Sequence, residues 1–505
     1  MILINKKCFN NKIDSNIYGD GKIQYLAQWY QTTMMKQVLI KYNTQGTPSK
    51  GTGTSAKNLY ITNKKYITDN IIPFFKKKDG DMDEGLVSSL LTGNFIGNLA
   101  DLSEEPPSKD FSDYWFKIIG YYTLSKFVFY DIEKMKNDVM KLVEDNKFNE
   151  QECIYVIENI YNAKIKEYNS NHNKFKITPK ILKIAYKKIT KWNINSRKKF
   201  VKQSVIDIKK TMCIELQGKE KFYTNSSGDV NKLCDIEKFN DMIKFFFSYE
   251  MLNDKQRHII LNTLDIVVCP YCNRQYITSY EPSENKKDKI DVLATADLDH
   301  FYPKAKFQLF SLSLYNFVPA CQICNSRMKI DKPIEILYPY AECFGDEVKF
   351  EVIPVDKKNE GKSLFDLLYG KDDTLKFEKY RISIDRSSIS DKKKKKYVDG
   401  SIEMFQLEQV YQSHKEYAAE IIRTNAIYGS NVHDSVMNTL FNNEPLLNKD
   451  REESLSAILS HLGGGTKETL SENEKNRILY GINVEDKNQD LKKPLEKLTR
   501  DILKL

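Results

Sequence analysis

Two Cys-x-x-Cys pairs constrain this chain more than any other feature of its sequence. Cys269 and Cys272 form the first pair, and Cys321 and Cys324 form the second. Two residues between thiolates allow a tight knuckle turn that directs both sulfurs at one ion, and a second knuckle completes a closed tetrahedral site. Because a closed site leaves no position for water, we expect a structural zinc ion. The alternatives are buried cysteines without metal and a redox motif, which would use one pair rather than two.

The separation of the two pairs indicates that a folded unit lies between them. Residues 273 to 320 separate the knuckles, whereas a simple zinc ribbon has ~15–20 residues there. This interval contains the dipeptide Asp299-His300, and Asn325 follows the last cysteine directly. Taken alone, an Asp-His dipeptide is more often part of a solvated loop. Its position between two knuckles favours a functional site.

These polar residues are of the types that phosphodiester hydrolysis requires. The reaction needs a base that activates water and a divalent cation that stabilises charge on the phosphate. A neutral imidazole suits the base because its ordinary pKa is ~6.5, so we predict that His300 is the base. Asp299 and Asn325 supply the oxygen ligands that Mg²⁺ prefers. Adjacent residues of a strand point to opposite faces, so the chain must twist if Asp299 and His300 share one site.

The knuckles and the Asp-His pair resemble the HNH endonucleases, in the variant of that ββα-metal family whose scaffold carries a four-cysteine zinc site. The resemblance covers about residues 262 to 345. It implies that a β-hairpin presents Asp299 and His300 and that a helix near the second knuckle presents Asn325. It assigns the general base to His300, the ligands of a catalytic Mg²⁺ or Mn²⁺ to Asp299 and Asn325, and a loop-bracing role to Asn316. The third letter of the motif is often His, and Asn325 takes its place here.

Within that variant, several segments look most like the HNH nucleases of bacterial anti-phage systems, such as the Septu nuclease subunit and retron-associated HNH effectors. The resemblance implies a defence effector that cleaves DNA, and an ABC-type ATPase as a possible partner. A nuclease for structured RNA such as tRNA remains an alternative. So does a zinc-stapled subunit that binds nucleic acid or other proteins and becomes active only with its ATPase. The segments that resemble the nucleases of anti-phage systems are 269–277, 298–304, 315–327, 338–340 and 344–346.

Basic residues near the motif are predicted to position phosphates rather than to read sequence. The net charge of +9, from 78 basic and 69 acidic residues, favours a nucleic-acid partner only weakly. An AT-rich coding bias also enriches lysine, which reduces the weight of that charge. The predicted contacts are Arg274, Lys304, Lys306, Arg327 and Lys329.

At 505 residues, the chain is longer than a typical domain built around one hydrophobic core. We predict a mostly α protein of the α+β class with a ββα-metal module at its centre. Helical periodicity between about 110 and 168 supports a helical N-terminal domain over residues 1–240. The nuclease module with its entering helix is assigned to 241–345, and an annex of a small sheet and helices to 346–505.

The chain is expected to be cytoplasmic and not attached to a membrane. No stretch reaches the ~18 apolar residues that a transmembrane helix requires, and the apolar start at 1–4 is too short for a signal peptide. Five of the nine cysteines lie outside the two pairs. Because that number is odd and the spacing has no pattern, reduced thiols fit better than a disulfide framework.

Overall fold

A computed structural model describes most of the chain, including both knuckles. The described ranges are 1–13, 24–49, 51–77, 80–99, 115–131, 236–280, 293–332, 334–356, 377–428 and 493–504, with the strands at 175–179 and 212–216 and isolated positions between 133 and 170 and at 480. Structural statements below concern these residues.

The structure combines helices and small sheets, as the α+β prediction expects. The α-helices are α1 Leu26–Asn43, α2 Thr54–Tyr66, α3 Ile72–Phe74, α4 Glu84–Thr92, α5 Ile96–Leu99, α6 Trp115–Lys126, α7 Ile236–Ile243, α8 Asp254–Leu264, α9 Lys392–Met404, α10 Leu407–Val410, α11 Lys415–Tyr428 and α12 Glu496–Leu503. The strands are β1 Phe175–Pro179, β2 Met212–Leu216, β3 Ser279–Tyr280, β4 Leu293–Ala294, β5 Ala296–His300, β6 Phe317–Cys321, β7 Lys349–Pro354 and β8 Tyr380–Asp385. Among the described residues, no helix has the length and apolar character needed to cross a membrane.

Each described strand pairs with one antiparallel neighbour, and the pair β5–β6 carries the predicted motif. Its register places Ala296 opposite Cys321 and His300 opposite Phe317. All five residues of β6 are buried. Among the described strands β6 has one neighbour, β5, so it is an edge strand, and edge strands tolerate a proline such as Pro319.

Strands β7 and β8 form a small antiparallel sheet within the segment assigned to the annex. The lysine run 392–396 begins helix α9, whose N-terminus Asp391 caps. The segment predicted to enter the module as one helix contains two helices, α7 and α8, joined by an aromatic turn. The N-terminal helical periodicity corresponds to α6 and the π-helical turn Phe127–Asp131. Most of its remainder lies outside the described residues.

The N-terminal helices pack directly on the loop between β5 and β6. The Tyr30 hydroxyl donates to the Leu312 carbonyl at 2.8 Å, and the Leu309 N–H donates to the Tyr121 hydroxyl at 3.2 Å. Asn240 accepts from the Gln308 N–H at 2.8 Å. One hydrophobic cluster extends from the N-terminal helices through the knuckles to α12. The predicted boundaries at 240 and 345 therefore do not interrupt the core.

An ion cluster joins three separate parts of this core. Lys126 at the end of α6 lies 2.6 Å from Glu335, and Lys396 of α9 pairs with the other oxygen of the same carboxylate. Helix α9 packs closely against the backbone of Glu335, and the contact requires a glycine in the helix. A Cβ added at Gly400 would lie 2.0 Å from the Glu335 carbonyl oxygen. Burial raises the pKa of Glu335, but the two lysines outweigh it and lower the pKa to about 2.

Replacing Glu335 by Gln is expected to lower the free energy of unfolding at neutral pH and to make that free energy less dependent on pH in the acidic range. The folded-state pKa lies below the ordinary value of 4.5, so this stabilisation is present above about pH 4.5 and is lost as pH falls towards 2. At ~1.4 kcal/mol per pKa unit it amounts to at most about 3 kcal/mol. Denaturant unfolding at pH 7 and pH 4 measures it, with the exposed Glu403→Gln on α9 as control. An identical acid dependence in Glu335→Gln and wild type would contradict the assignment.

Candidate metal centre and catalytic cavity

The four cysteines of the two knuckles converge as their spacing predicts. All four side chains are buried, and their sulfur atoms lie within 4.8 Å of one another. Tetrahedral zinc with Zn–S bonds of ~2.3 Å requires sulfurs about 3.8 Å apart, so small movements complete the site. Hydrogen bonds from the other three thiols, Cys269 first, lower the pKa of Cys321, whereas the pKa values of Cys269, chiefly through burial, and of Cys324, chiefly through its bond with Cys269, are raised. Metal binds the thiolate form. The group could hold a metal such as zinc.

The first knuckle is fixed by residues distant in sequence. Asn273 adopts φ +51°, in the left-handed region that asparagine tolerates, and its N–H closes the turn on the Cys269 carbonyl at 2.9 Å. Its buried side chain accepts from the Lys497 N–H at 3.1 Å, which docks helix α12. The Tyr411 hydroxyl donates to the Cys272 carbonyl at 2.8 Å. No pattern in the sequence indicated these supports.

The second knuckle joins strand β6 to a helical turn. Cys321 ends β6, and the π-helix Ile323–Lys329 contains Cys324 and Asn325. The order is therefore strand, strand and helix, with Asp299 and His300 at the end of β5.

The Asp299 carboxylate is buried and bound by groups from both knuckle regions. The Tyr271 hydroxyl, between the first two cysteines, donates to Oδ2 at 2.6 Å. The Lys329 ammonium, at the end of the π-helix, lies 3.0 Å from each carboxylate oxygen and donates to the His300 carbonyl at 2.5 Å. The side chains of Asp299 and Lys329 are each only 3% exposed. Asp299 thus connects the two knuckles as well as facing the cavity.

Asn325 contacts Asp297 rather than Asp299. Its amide Nδ2 donates to Asp297 Oδ2 at 2.9 Å, and its Oδ1 has no hydrogen bond among the described residues. Alternation along β5 places Asp297 and Asp299 on the same face of the strand. Asp297 was absent from the predicted site, although the Asp-x-Asp spacing was a signal that could have identified it.

His300 is held in a single neutral tautomer by its surroundings. Its Nε2 lies 3.0 Å from the Ser311 carbonyl oxygen, and because a carbonyl only accepts, Nε2 carries the proton and Nδ1 has the lone pair. Burial lowers the pKa of His300 to about 4, although the Ser311 bond and Asp299 raise it. The rings of Tyr249 and Phe317 pack edge-on against it at 4.8 and 5.2 Å. At neutral pH this imidazole is therefore an unprotonated base.

Asn316 fixes the loop that carries Ser311. Its Oδ1 accepts from the Tyr302 N–H at 2.8 Å. Its Nδ2 donates to the carbonyls of Tyr302 and Phe310 at 3.1 and 3.0 Å. A fully buried amide with all these bonds restrains the backbone on both sides of the loop.

A cavity of about 760 Å³ opens between β5 and helix α8. The β5 side and the π-helix provide the predicted chemistry, and the turn before α8, α8 itself and β3 provide other polar and aromatic groups. His258, on α8, is buried and lies 2.7 Å from Ser279 through Nδ1. The functional side chains lining the cavity include Asp297, Asp299, His300, Asn325, Tyr249, Arg257, His258, Ser279 and Lys304.

Of the five basic residues predicted to contact phosphates, Lys304 lines this cavity. Lys329 is buried against Asp299, and Lys306 donates to the Asp331 carbonyl. Arg274 donates to His414 at 2.8 Å, away from the cavity, and Arg327 is exposed beyond its lining.

The α8 wall was not predicted from the sequence. Tyr249, Arg257 and His258 lie upstream of the first knuckle, and nothing in their local pattern separates them from an ordinary amphipathic helix. Only packing of α8 against the β5 region brings them to the cavity.

The chain shows no detected match elsewhere: no protein-family model, no curated protein and no solved structure matches it. The assignment of a function therefore depends on the geometry of the site and on the motif resemblance.

Replacing Cys269 by Ser is expected to abolish metal binding and cooperative folding. Structural zinc contributes ~10–16 kcal/mol in peptide-sized sites, more than most domains have in reserve. Elemental analysis of zinc content and thermal unfolding test this, with Cys343→Ser, outside the cluster, as the matched control. A zinc-free Cys269→Ser protein that melts cooperatively at the wild-type temperature would rule out a structural metal.

Proposed function

We propose that this chain is a metal-dependent endonuclease of the HNH type that hydrolyses phosphodiester bonds of DNA. The observation that supports it most is His300, whose Nε2 is committed to the Ser311 carbonyl at 3.0 Å while Nδ1 is left as a base. Its location in a cavity with oxygen-bearing side chains, beside a four-cysteine cluster, provides the context for that base. An ordinary buried structural histidine requires none of these neighbours.

In the proposed mechanism His300 removes a proton from water, which attacks the phosphorus in line with the leaving 3′-oxygen. The Ser311 carbonyl keeps the ring oriented and stabilises the imidazolium that forms. Asn316 holds the loop so that this orientation does not change during the reaction. A bound Mg²⁺ or Mn²⁺ would stabilise the charge that develops on the phosphate and the leaving oxygen.

Three oxygen-bearing side chains fit the cation, and they are not equivalent. Asp297 and Asn325 lie side by side at the cavity, and hard oxygen ligands of this kind suit Mg²⁺. The resemblance also assigns Asp299, but both of its oxygens are bound by Lys329 and one by Tyr271. We therefore propose that Asp297 and Asn325 bind the cation directly, and that Asp299 contributes only if Lys329 withdraws.

The biological assignments rest on the resemblance. We propose a cytoplasmic anti-phage effector that acts on DNA and is activated by an ABC-type ATPase partner. A partner of this kind would explain how a cell tolerates a nuclease whose base is already neutral and oriented.

Replacing His300 by Ala is expected to reduce metal-dependent cleavage by at least about 10²-fold, the usual contribution of a general base. Plasmid, linear and single-stranded DNA and total tRNA should be tested with Mg²⁺, Mn²⁺ or EDTA. His414→Ala is the control, because His414 lies outside the cavity and accepts from Arg274.

Retained cleavage by His300→Ala would exclude this base. If folded, zinc-loaded wild type cuts none of these substrates, the result would favour a binding subunit or one that requires its partner.

Replacing Asp297 or Asp299 by Asn should show which of the two carboxylates binds the cation and which one stabilises the fold. Asp297→Asn is expected to raise the Mg²⁺ concentration needed for cleavage about tenfold or more with little change in melting temperature. Asp299→Asn leaves the buried Lys329 ammonium without its counter-charge, which costs about 3–5 kcal/mol. Magnesium titrations and thermal unfolding of both variants make the comparison. A wild-type magnesium dependence in Asp297→Asn would remove it from the ligand set.

A further inference from the structure

The ring of Tyr249 gathers two cations beside the catalytic histidine. The Arg257 guanidinium lies 4.5 Å from the ring centroid, and the Lys304 ammonium lies 5.0 Å from it. The same ring packs against His300 at 4.8 Å. All four side chains line the cavity. Two positive charges are thus held close to the proposed base by one aromatic ring, an arrangement that cation–π attraction stabilises.

The Arg257 side chain has donor capacity that the protein does not use. Its Nε is buried and has no hydrogen-bond partner among the described residues. Its NH1 donates to Asp254 at 2.9 Å, and that carboxylate is 79% exposed. A guanidinium presents five N–H donors in a planar fork that matches a phosphate. Among the described residues Arg257 makes one hydrogen bond, and because its side chain is 31% exposed, the remaining N–H groups at the end of the guanidinium can bind an incoming anion.

The carboxylates that pair with Arg257 and Lys304 are exposed to solvent. Lys304 pairs with Glu250 at 2.9 Å, and Glu250 is 69% exposed. Exposed ion pairs contribute little to stability, so a phosphate can replace either carboxylate at small cost.

The geometry points to a backbone phosphate rather than a base. Cations and His300 already surround the Tyr249 ring, which leaves it poorly suited to stack on a nucleobase. The two centroid distances place the guanidinium within about 9 Å of the His300 ring. Because this separation is an upper limit and a strand advances ~3.4 Å per nucleotide along the helix axis, the phosphate next to the cleaved one can lie at Arg257.

We propose that Arg257, held with Lys304 on Tyr249, binds a backbone phosphate next to the phosphodiester that is cleaved. The inference rests on the proposed nuclease function and names its substrate contact. The ligand is a polynucleotide strand, DNA or RNA, recognised through phosphate and not through sequence. Arg257 is a positioning residue, since it touches the substrate away from the reacting phosphorus.

The test measures binding in EDTA, so that no cleavage intervenes. Fluorescein-labelled 20-nucleotide single strands of DNA and RNA, and the corresponding DNA duplex, are titrated between 50 and 200 mM salt. Arg257→Gln should weaken binding about tenfold, the loss of one charge-assisted contact. It should also lower the slope of log affinity against log salt by about 1. Arg257→Lys, which keeps the charge but not the fork, should retain the slope and bind with intermediate affinity.

The matched control is Arg381→Gln, which removes the same charge from an exposed position on β8. Thermal unfolding of every variant identifies loss of fold. A wild-type salt slope in Arg257→Gln, an equal loss in Arg381→Gln, or no binding by wild type would each overturn the phosphate site. Failure of the nuclease proposal is distinguishable, because the slope would still fall in Arg257→Gln while wild type showed no metal-dependent cleavage. Preference among the three probes identifies which strand the site takes.

Discussion

Convergence of four cysteine sulfurs on one point is the constraint on which the rest of the site depends. It joins two knuckles that lie far apart in sequence and brings their flanking residues together. Tyr271 from the first knuckle and Lys329 beyond the second meet at Asp299. Because a buried carboxylate is costly unless it is paired and hydrogen-bonded, these contacts also fix the end of strand β5. The position of His300 follows from that.

The chemistry proposed for His300 arises from a backbone carbonyl and from burial rather than from a carboxylate partner. The Ser311 carbonyl determines which nitrogen carries the proton, and exclusion of water lowers the pKa to about 4. Asn316 and the N-terminal helices hold the loop that contains Ser311. Helices outside the motif therefore orient the His300 ring, because they hold the loop to which it is hydrogen-bonded.

The flanking regions also form the wall of the cavity opposite β5. Helix α8 brings Arg257 and His258 opposite the motif, and α12 supports the first knuckle through Asn273. One continuous hydrophobic core includes these elements. A single core explains how residues from several parts of the chain can form one cavity with fixed distances, whereas separate domains would allow those distances to vary.

The sequence by itself determined the cysteine cluster, because short-range spacing fixes knuckle geometry locally. Residue chemistry and position between the knuckles singled out His300 and Asn325, whereas the strand pair and the role of Asn316 were implied by the HNH resemblance. Only the tertiary structure decided that Lys329 binds Asp299, that Asp297 neighbours Asn325, and that Arg257 reaches the cavity. The reason is physical: a charged residue has the same local pattern whether it faces solvent, a phosphate or a buried carboxylate. Long-range packing of α8 and the π-helix against β5 determines which of these environments each charged side chain has.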